Sequence, residues 1–226
     1  KFTPWETIFT ENMNIFITRQ IPERGIALLK EKGYNVIISP HDRVLTKEEL
    51  IGFLQKDRYD AVLCLLTDKI DAEVLDAAKE SGVKIVANYA VGFDNVDVKA
   101  AGERGIMVTN TPDVLTETVA EHTFALMLAI AHRIAEADRF TRAGKYTGWA
   151  PMMLLGNDLS HKTIGIVGLG RIGSRVAHHA AKGFDAKIIY YDVKRNEEFE
   201  GELNKNVVLS DSEGSRGDFS ASPKND

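Results

Sequence analysis

Three glycines at a characteristic spacing follow an apolar segment in the second half of the chain. Gly168, Gly170 and Gly173 form a G-x-G-x-x-G pattern directly after residues 163–167. In a strand–turn–helix unit, the first glycine allows a tight turn, the second lets the backbone approach a pyrophosphate, and the third lets the helix pack closely on the strand. The N–H groups at the start of that helix would face the phosphates. The pattern therefore predicts a dinucleotide-binding site.

Asp192 ends the next apolar segment, residues 187–191, and extends this prediction to the ribose. A carboxylate there accepts hydrogen bonds from the hydroxyls of the adenine ribose and repels a 2′-phosphate, which favours NAD over NADP. Lys194 and Arg195 follow closely and leave NADP open, since a positive cluster can receive that phosphate; otherwise they belong to an exposed loop. A plain tight turn, which other nucleotide folds also use, would explain the glycines but not the acid.

The composition narrows the class of protein. The 226 residues are 44% hydrophobic and 27% charged with a net charge of -5, which is typical of a soluble globular protein and leaves no nucleic-acid footprint. The longest apolar run, residues 124–131, is too short for a membrane span of about 20 residues, and no signal peptide is visible, so we expect a cytoplasmic protein. Cys64 lies in an apolar run and is expected to be a small core residue. No spacing of ligand residues predicts a metal site.

Predicted strands and helices alternate from Met13 onward. Thr46 and Glu49 form a capping-box pattern that starts one of the helices, and Gly82 is expected to end the next one. Such a rhythm predicts a parallel sheet with helices on both faces. The strands are predicted at residues 14–17, 35–38, 61–66, 83–87 and 106–109, and the helices at residues 22–33, 46–56, 71–81 and 95–104.

A single long helix is predicted over residues 116–142, ended by Gly144. Its apolar side chains cover more than one face at its centre, as expected for a helix buried between two domains; burial within one domain would give the same pattern. An irregular connector, residues 144–161, leads to the dinucleotide unit. Residues 204–226 are polar and predict a disordered tail, in which 207–209 alone could form a strand.

Three sequence blocks resemble, in their order, the D-2-hydroxyacid dehydrogenases, the group of glyoxylate and hydroxypyruvate reductases, D-lactate dehydrogenases and phosphoglycerate dehydrogenases. Residues 88–97 (NYAVGFDNVD) look like the family's substrate-carboxylate loop. Residues 105–133 look like its interdomain segment and long helix, and residues 159–192 like its cofactor fingerprint. Residues 13–36 look closest to the glyoxylate and hydroxypyruvate reductase branch.

The resemblance implies an α/β fold of two Rossmann-like parallel-sheet domains, the first flavodoxin-like and nearly complete, the second truncated. It implies hydride transfer between a nicotinamide cofactor and a small 2-oxo or 2-hydroxy acid, and a homodimer. The expected organisation is an upstream extension (residues 1–12), a substrate domain (13–112), a long interdomain helix and hinge (113–148), a partial NAD-binding domain (149–203) and the polar tail (204–226).

Two binding elements carry over from the family residue by residue. Val91 and Gly92 match the loop whose N–H groups hold the substrate carboxylate, although a strand-to-helix turn that needs glycine would look the same. The pyrophosphate turn is matched, beside its glycines, by Leu169, Arg171 and Ile172. Arg171 either adds charge against the phosphates or is simply solvated.

The family's catalytic arginine, glutamate and histidine have no counterpart in this sequence, so no catalytic residue is assigned. None of the six histidines lies in the family's late Pro-His motif, and on the predicted helix His178 and His179 suit a surface or packing role; the six are His41, His122, His132, His161, His178 and His179. We expect the N-terminal part of an oxidoreductase, cut short after about residue 203, inactive alone and with strand 187–191 lacking later partners. The alternatives are a non-catalytic dinucleotide-binding module that acts through a partner, and an enzyme completed by a second polypeptide.

Overall fold

The computed structural model describes residues 12–203 and 207–209, and its chain divides into two compact units, one ending at Asp113 and the other beginning at Val114. Each unit is built on a parallel sheet, as the α/β prediction requires. The predictions for the extension and the tail fall, apart from Asn12 and residues 207–209, outside the described residues. Among the helices described, none has both the length and the apolar composition that a membrane span needs.

The first unit contains a five-stranded sheet in the order β2-β1-β3-β4-β5, with every neighbouring pair parallel. This is the strand order of flavodoxin-like folds, in which the chain reverses direction across the sheet after its first two strands. The fold expected for this part of the chain is therefore confirmed. The strands are β1 (Asn14–Ile17), β2 (Asn35–Ile38), β3 (Ala61–Leu65), β4 (Ile85–Tyr89) and β5 (Met107–Thr109).

Four helices connect these strands, and their ends follow local side-chain chemistry. Thr46 and Glu49 form the predicted capping box, with Glu49 N–H donating to Thr46 Oγ1 at 3.2 Å and Thr46 N–H to Glu49 Oε2 at 2.9 Å. Gly82 ends another helix in the left-handed conformation, at φ 111°. The helices are α1 (Glu23–Glu31), α2 (Lys47–Lys56), α3 (Ala72–Ser81) and α4 (Val98–Glu103).

Two predicted boundaries in this unit were wrong by a few residues. The strand predicted from Val83 starts at Ile85, because Val83 N–H still donates to Ala78 O at the end of α3. The helix predicted from Asn95 starts at Val98, because Val96 forms a parallel bridge with Ile70 instead. In both cases a backbone hydrogen bond to a distant or preceding segment outcompetes the local propensity.

Alternation along the strands sends side chains into two cores, one on each face of this sheet. Phe16 of β1 packs into the larger core with residues of α2 and α3, such as Leu54 and Leu75. Its neighbours Ile15 and Ile17 point to the opposite face and pack with Ile26 of α1. Cys64 is completely buried in the larger core, as expected.

The second unit has a three-stranded parallel sheet in the order β6-β7-β8. A helix that precedes the sheet packs against the helix that follows the glycine turn, and their contact includes stacked rings of Phe124 and Phe184 with centroids 5.3 Å apart. The elements are α5 (Thr116–Ala131), α6 (Ile134–Arg142), β6 (Thr163–Val167), α7 (Arg171–Phe184), β7 (Lys187–Tyr191), α8 (Glu197–Leu203) and β8 (Val207–Leu209).

The single helix predicted over residues 116–142 is in fact two helices. The break lies at Arg133, whose backbone is left-handed with φ 54°. No glycine or proline in residues 116–142 predicts it. The connector stabilises this break, because Asn157 N–H donates to Ala131 O at 2.9 Å and Arg133 Nη1 donates to Leu155 O at 3.3 Å. Gly156 lies so close to the end of α5 that an added Cβ would be 2.9 Å from His132 Cα.

The prediction that strand 187–191 lacks later partners was also wrong. This strand, β7, is the central strand of the sheet, paired with β6 on one side and with β8 on the other. The three-residue strand that the sequence allowed at 207–209 is the reason. Within the described residues β6 has a neighbour on one side only, and its Thr163, Gly165 and Val167 are exposed.

Candidate functional sites

The glycine turn between β6 and α7 has the geometry that its sequence predicts. Gly168 adopts φ 91°, a left-handed conformation that favours glycine. Its N–H donates to Tyr191 O at 2.8 Å, which ties the turn to the end of β7. Gly170 is the N-cap of α7. The chain therefore leaves β6, turns sharply and enters a helix within four residues of sequence.

Gly173 lies against the turn itself. A Cβ added there would overlap the carbonyl oxygen of Gly168 and lie 3.2 Å from its carbonyl carbon, with Ile166 Cγ2 at 3.5 Å. Since the first two contacts are with backbone, no side-chain rotation can relieve them. The third glycine of the pattern is thus required for close helix–strand packing, as in dinucleotide-binding turns.

The N-terminus of α7 has the polarity that favours an anion. The N–H groups in the first turn of a helix have no partner inside the helix, and among the described residues no side chain caps this end. Ser174 directs its hydroxyl back to Leu169 O at 3.1 Å and so stabilises the turn instead. Arg171 and Ile172 occupy the first turn, where their backbone N–H groups and the helix dipole favour negative charge.

Asp192 lies beside the same turn at the end of β7. Its Oδ2 accepts a hydrogen bond from Leu169 N–H at 2.5 Å and its Oδ1 one from Lys194 N–H at 3.2 Å. These backbone donors, with Leu169 first, hold the pKa of the Asp192 carboxyl below its usual range, so the group stays ionised at neutral pH. A carboxylate offers about four acceptor positions, which leaves room for ligand hydroxyls. Together with Leu169 and Gly170 it lines a cavity of about 370 Å³.

The loop after β4 contains Val91 and Gly92 and is organised by its carbonyl groups. Thr111 N–H donates to Ala90 O at 2.8 Å. Asn110 Nδ2 donates to Val91 O at 2.7 Å. Gly92 O accepts a hydrogen bond from Asn88 Nδ2 at 2.8 Å. Three successive carbonyl oxygens are therefore held by the protein.

This arrangement determines where the loop's N–H groups point. The peptide bonds are trans, which places each N–H on the opposite side of its plane from the preceding carbonyl. The N–H groups of Val91, Gly92 and Phe93 thus point away from their carbonyl partners, and none donates to an acceptor within residues 12–203. Gly92 and Phe93 are exposed. Consecutive N–H groups of this kind form a concavity suited to a carboxylate.

Asparagine side chains behind the loop were not predicted as functional, and they form its support. Asn88 is only 2% exposed, and its Oδ1 accepts from Asn95 Nδ2 at 3.2 Å and from Cys64 Sγ at 3.4 Å. Asn95 Nδ2 also donates to Leu65 O at 3.2 Å and to Asp68 O at 3.1 Å. The signal available in the sequence is the recurrence of asparagine on both sides of the loop, at positions 88, 95 and 110.

Two further polar groups lie in this network. Asp68, 4% exposed, accepts from the Thr18 hydroxyl at 2.5 Å and from Leu65 N–H at 2.8 Å. Burial, and then the charge of Asp68, raise the pKa of the Cys64 thiol to about 12. The thiol is therefore protonated at neutral pH and is no nucleophile.

An arginine, a glutamate and a histidine do meet in the second unit, but away from the glycine turn. Glu117 of α5 pairs with Arg175 of α7 and with His179 Nε2, the latter at 3.1 Å. These two partners hold the pKa of the Glu117 carboxyl below its usual value, with the Arg175 hydrogen bond as the larger cause. The cluster joins α5 to α7, so His179 has a packing role. No group of three metal-binding side chains occurs among the described residues.

Comparison with known proteins gives concordant matches over most of the chain. A family model described as D-isomer specific 2-hydroxyacid dehydrogenase, catalytic domain, matches residues 15–214. A glyoxylate reductase of Korarchaeum cryptofilum is 51% identical over 195 residues, which are 86% of this chain and 57% of that protein. The chain thus spans little more than half the length of this relative.

Solved structures give the same result. The TT0316 protein of Thermus thermophilus is 39% identical with a TM-score of 0.75, over 88% of this chain and 65% of that one. A D-lactate dehydrogenase of Aquifex aeolicus, crystallised with NAD and lactic acid, is 26% identical with a TM-score of 0.69, over 87% of this chain and 55% of that one. With a parallel-sheet fold, an intact glycine fingerprint and a family model that matches most of its length, the chain belongs to the D-isomer-specific 2-hydroxyacid dehydrogenase family.

Proposed function

We propose that this chain supplies the carboxylate-binding loop and the pyrophosphate-binding turn of a nicotinamide-dependent reductase of small 2-oxo acids, of the glyoxylate or hydroxypyruvate type. The observation that carries the proposal is the loop after β4, where three carbonyls are anchored and the N–H groups of Val91, Gly92 and Phe93 have no acceptor among the described residues. The similarity to glyoxylate reductases supports the choice of substrate class.

In this proposal the carboxylate of the 2-oxo acid accepts hydrogen bonds from the loop. Backbone N–H groups bonded to a carboxylate form charge-assisted hydrogen bonds, which are stronger than neutral ones. Because Asn88 and Asn110 already hold the loop, binding needs little rearrangement. The substrate is then fixed at its carboxylate end.

The cofactor of the proposal is NAD, with NADP as the alternative. Bound NADH supplies the hydride that reduces the carbonyl. The chain's own contribution is binding: the N–H groups at the start of α7 (Gly170, Arg171 and Ile172) receive the pyrophosphate, and Gly170 lets it approach the backbone. Gly168 and Gly173 allow the tight turn and the close helix–strand packing that position these groups. Asp192 accepts hydrogen bonds from the ribose hydroxyls.

The proposal also includes little turnover by this chain alone. The resemblance places the family's arginine, glutamate and histidine at positions that this sequence does not match. Within the second unit, none of Glu117, Arg175 and His179 is among the residues that line the cavity beside Asp192. The domain boundaries given by the sequence, a cytoplasmic location and a homodimer are part of the same proposal.

The experiment measures binding and turnover on the purified 226-residue chain. Titration with NADH, followed by the change in nicotinamide fluorescence, is expected to show saturable binding. NADH oxidation with glyoxylate or hydroxypyruvate is expected to stay near the background rate. A folded chain that binds no NADH at millimolar concentration would refute the cofactor site, and robust enzyme-dependent turnover would refute the statement on activity.

A further inference from the structure

The cavity beside Asp192 is lined by an arginine that is already paired with a carboxylate. Arg195 lines this cavity together with Asp192, Leu169 and Gly170. Its Nε lies 3.1 Å and 3.0 Å from the two carboxylate oxygens of Glu200, and its Nη2 lies 2.6 Å from Glu200 Oε2. Two nitrogens of one guanidinium thus contact one carboxylate, the bidentate geometry that an arginine also uses for a phosphate.

Glu200 is held in this position by the core of the second unit. The hydroxyl of Tyr190, a residue only 2% exposed, donates to Glu200 Oε1 at 2.6 Å. The same hydroxyl accepts from Asn196 N–H at 3.1 Å, and Asn196 Oδ1 accepts from Phe199 N–H at 3.1 Å. The side chain of Glu200 is 18% exposed, whereas that of Arg195 is 57% exposed. The carboxylate is therefore the fixed member of the pair and the guanidinium the movable one.

This pair bears directly on which dinucleotide the cavity accepts. A 2′-phosphate on the ribose beside Asp192 needs a positive partner, and a guanidinium suits it better than an ammonium group because of its planar fork. To offer that phosphate its bidentate Nε and Nη2 edge and its full charge, Arg195 must give up its contacts with Glu200. The free energy lost with Glu200 then offsets the free energy gained with the phosphate, since one ion pair is exchanged for another.

We infer that Glu200 is a specificity-determining residue: of the two cations that line the cavity, Lys194 and Arg195, it holds the guanidinium, which suits a 2′-phosphate better, and so it favours NAD over NADP in addition to the repulsion by Asp192. Glu200 acts through Arg195 and is a positioning residue. The inference rests on the proposed cofactor site and adds to it the device that sets selectivity.

The test compares dissociation constants for NADH and NADPH on the full chain at one fixed ionic strength. Glu200→Gln keeps the size of the side chain and the hydrogen bond from Tyr190 but removes the charge that holds Arg195. We expect this variant to bind NADPH about tenfold more tightly, while NADH binding changes less than about threefold; a tenfold change corresponds to about 1.4 kcal/mol. In the double variant with Arg195→Ala the gain should disappear.

Two controls separate this effect from a general change of charge or fold. Glu198→Gln removes a carboxylate from the lining of the same cavity, one with no contact to Arg195 among those described, and it should leave the ratio of the two constants within about twofold. Arg195→Ala alone should leave the ratio nearly unchanged, because the wild-type guanidinium is already engaged.

The possible results are distinguishable. An unchanged ratio in Glu200→Gln, or a marked loss of NADPH binding in Arg195→Ala alone, overturns the inference while leaving the cofactor site intact. Absence of NADH binding by the wild-type chain refutes the proposed function instead. If Glu200→Gln does not fold, as judged by circular dichroism, the Arg195→Ala result still decides.

Discussion

The third glycine of the fingerprint gives the sharpest mutational test. In Gly173→Ala the new methyl group would overlap Gly168 O and lie 3.2 Å from Gly168 C. Both atoms belong to the turn, so α7 or the turn must move by a distance comparable to the overlap. The matched control is Gly183→Ala on the same helix, where an added Cβ meets nothing within 4 Å.

The two substitutions should have opposite effects on stability. In an unobstructed helical position, alanine is more favourable than glycine by up to about 1 kcal/mol, which is what we expect for Gly183→Ala. At Gly173 the same gain is opposed by steric overlap, for which over-packing typically costs about 1–3 kcal/mol. Because the overlap is with backbone, we place the cost at the upper end and expect a net destabilisation of about 2 kcal/mol.

Gly173→Ala and Gly183→Ala should differ more in NADH affinity than in unfolding free energy. Displacing the turn moves the N–H groups that would receive the pyrophosphate, and the loss of one hydrogen bond to a charged group, about 1.5–3 kcal/mol, weakens binding by a factor of about 10 to 100. Urea unfolding followed by circular dichroism and NADH titration of both variants provide the measurement. If Gly173→Ala binds NADH as the wild type does, or is as stable as Gly183→Ala, then close packing of α7 on the turn does not require glycine at position 173.

Three other predictions follow from contacts described above. Asn88→Ala removes the buried amide that holds Gly92 O, and it should cost about 2–4 kcal/mol of unfolding free energy and weaken glycolate binding. Its control, Asn35→Ala, removes an exposed hydrogen bond to Asn14 and should cost less than about 1 kcal/mol. Equal losses in urea titrations of the two variants would contradict this assignment. The hydrogen bond from Arg43, and then that from Thr46 N–H, lower the pKa of Glu49 from 4.5 to about 2, so the contribution of its carboxylate to stability is present above pH 4.5 and is lost as the pH falls toward 2. In Glu49→Gln the urea midpoint should therefore fall less steeply between pH 4.5 and pH 2 than in the wild type. The same pH profile in both proteins would show that the ion pair contributes nothing. Gly156→Ala should destabilise the second unit by about 1–3 kcal/mol, because its Cβ would meet the backbone of Ala131 and His132 at the end of α5; a thermal midpoint equal to that of the wild type would refute this packing.

The strands and the glycine turn could be predicted because their signals are local. Continuous apolar runs such as residues 61–65 mark strands covered on both faces, and Thr46 with Glu49 marks a helix start through chemistry within four residues. Gly168 and Gly173 were predictable for the same reason, since the turn requires a left-handed backbone at the first and close helix–strand packing at the second.

The break between α5 and α6 was not predictable from these signals. Residues 116–142 contain neither proline nor glycine, and the left-handed Arg133 is stabilised by contacts from the connector, including the hydrogen bond to Leu155 O. Likewise, part of the support of the loop after β4 comes from Asn110, which is distant in sequence and reaches Val91 O only through the pairing of β4 with β5. Tertiary contacts of this kind override local preference.

The proposed role of Arg195 and Glu200 beside Asp192 could be predicted in part. The sequence placed Lys194 and Arg195 near the ribose but left open whether they receive a phosphate. The availability of Arg195 depends on Glu200, one turn into α8, whose side chain is oriented by the buried Tyr190. A charge count along the sequence cannot show that an arginine is already neutralised by a neighbour.

The anchored loop after β4 has a consequence for the thermodynamics of recognition. Because the carbonyl groups of the loop are hydrogen-bonded before any ligand binds, the loop loses its conformational entropy during folding of the first unit. It should therefore be preorganised for an anion. Asn88 also joins the loop to the carboxyl end of the buried sheet, so the binding surface has no separate local unfolding step. The amide proton of Thr111, which anchors the loop through Ala90 O, should therefore exchange at the rate of the sheet, whereas those of Gly92 and Phe93, which are exposed and have no acceptor among the described residues, should exchange fast. Carboxylate binding should be lost in the same cooperative transition that melts the sheet.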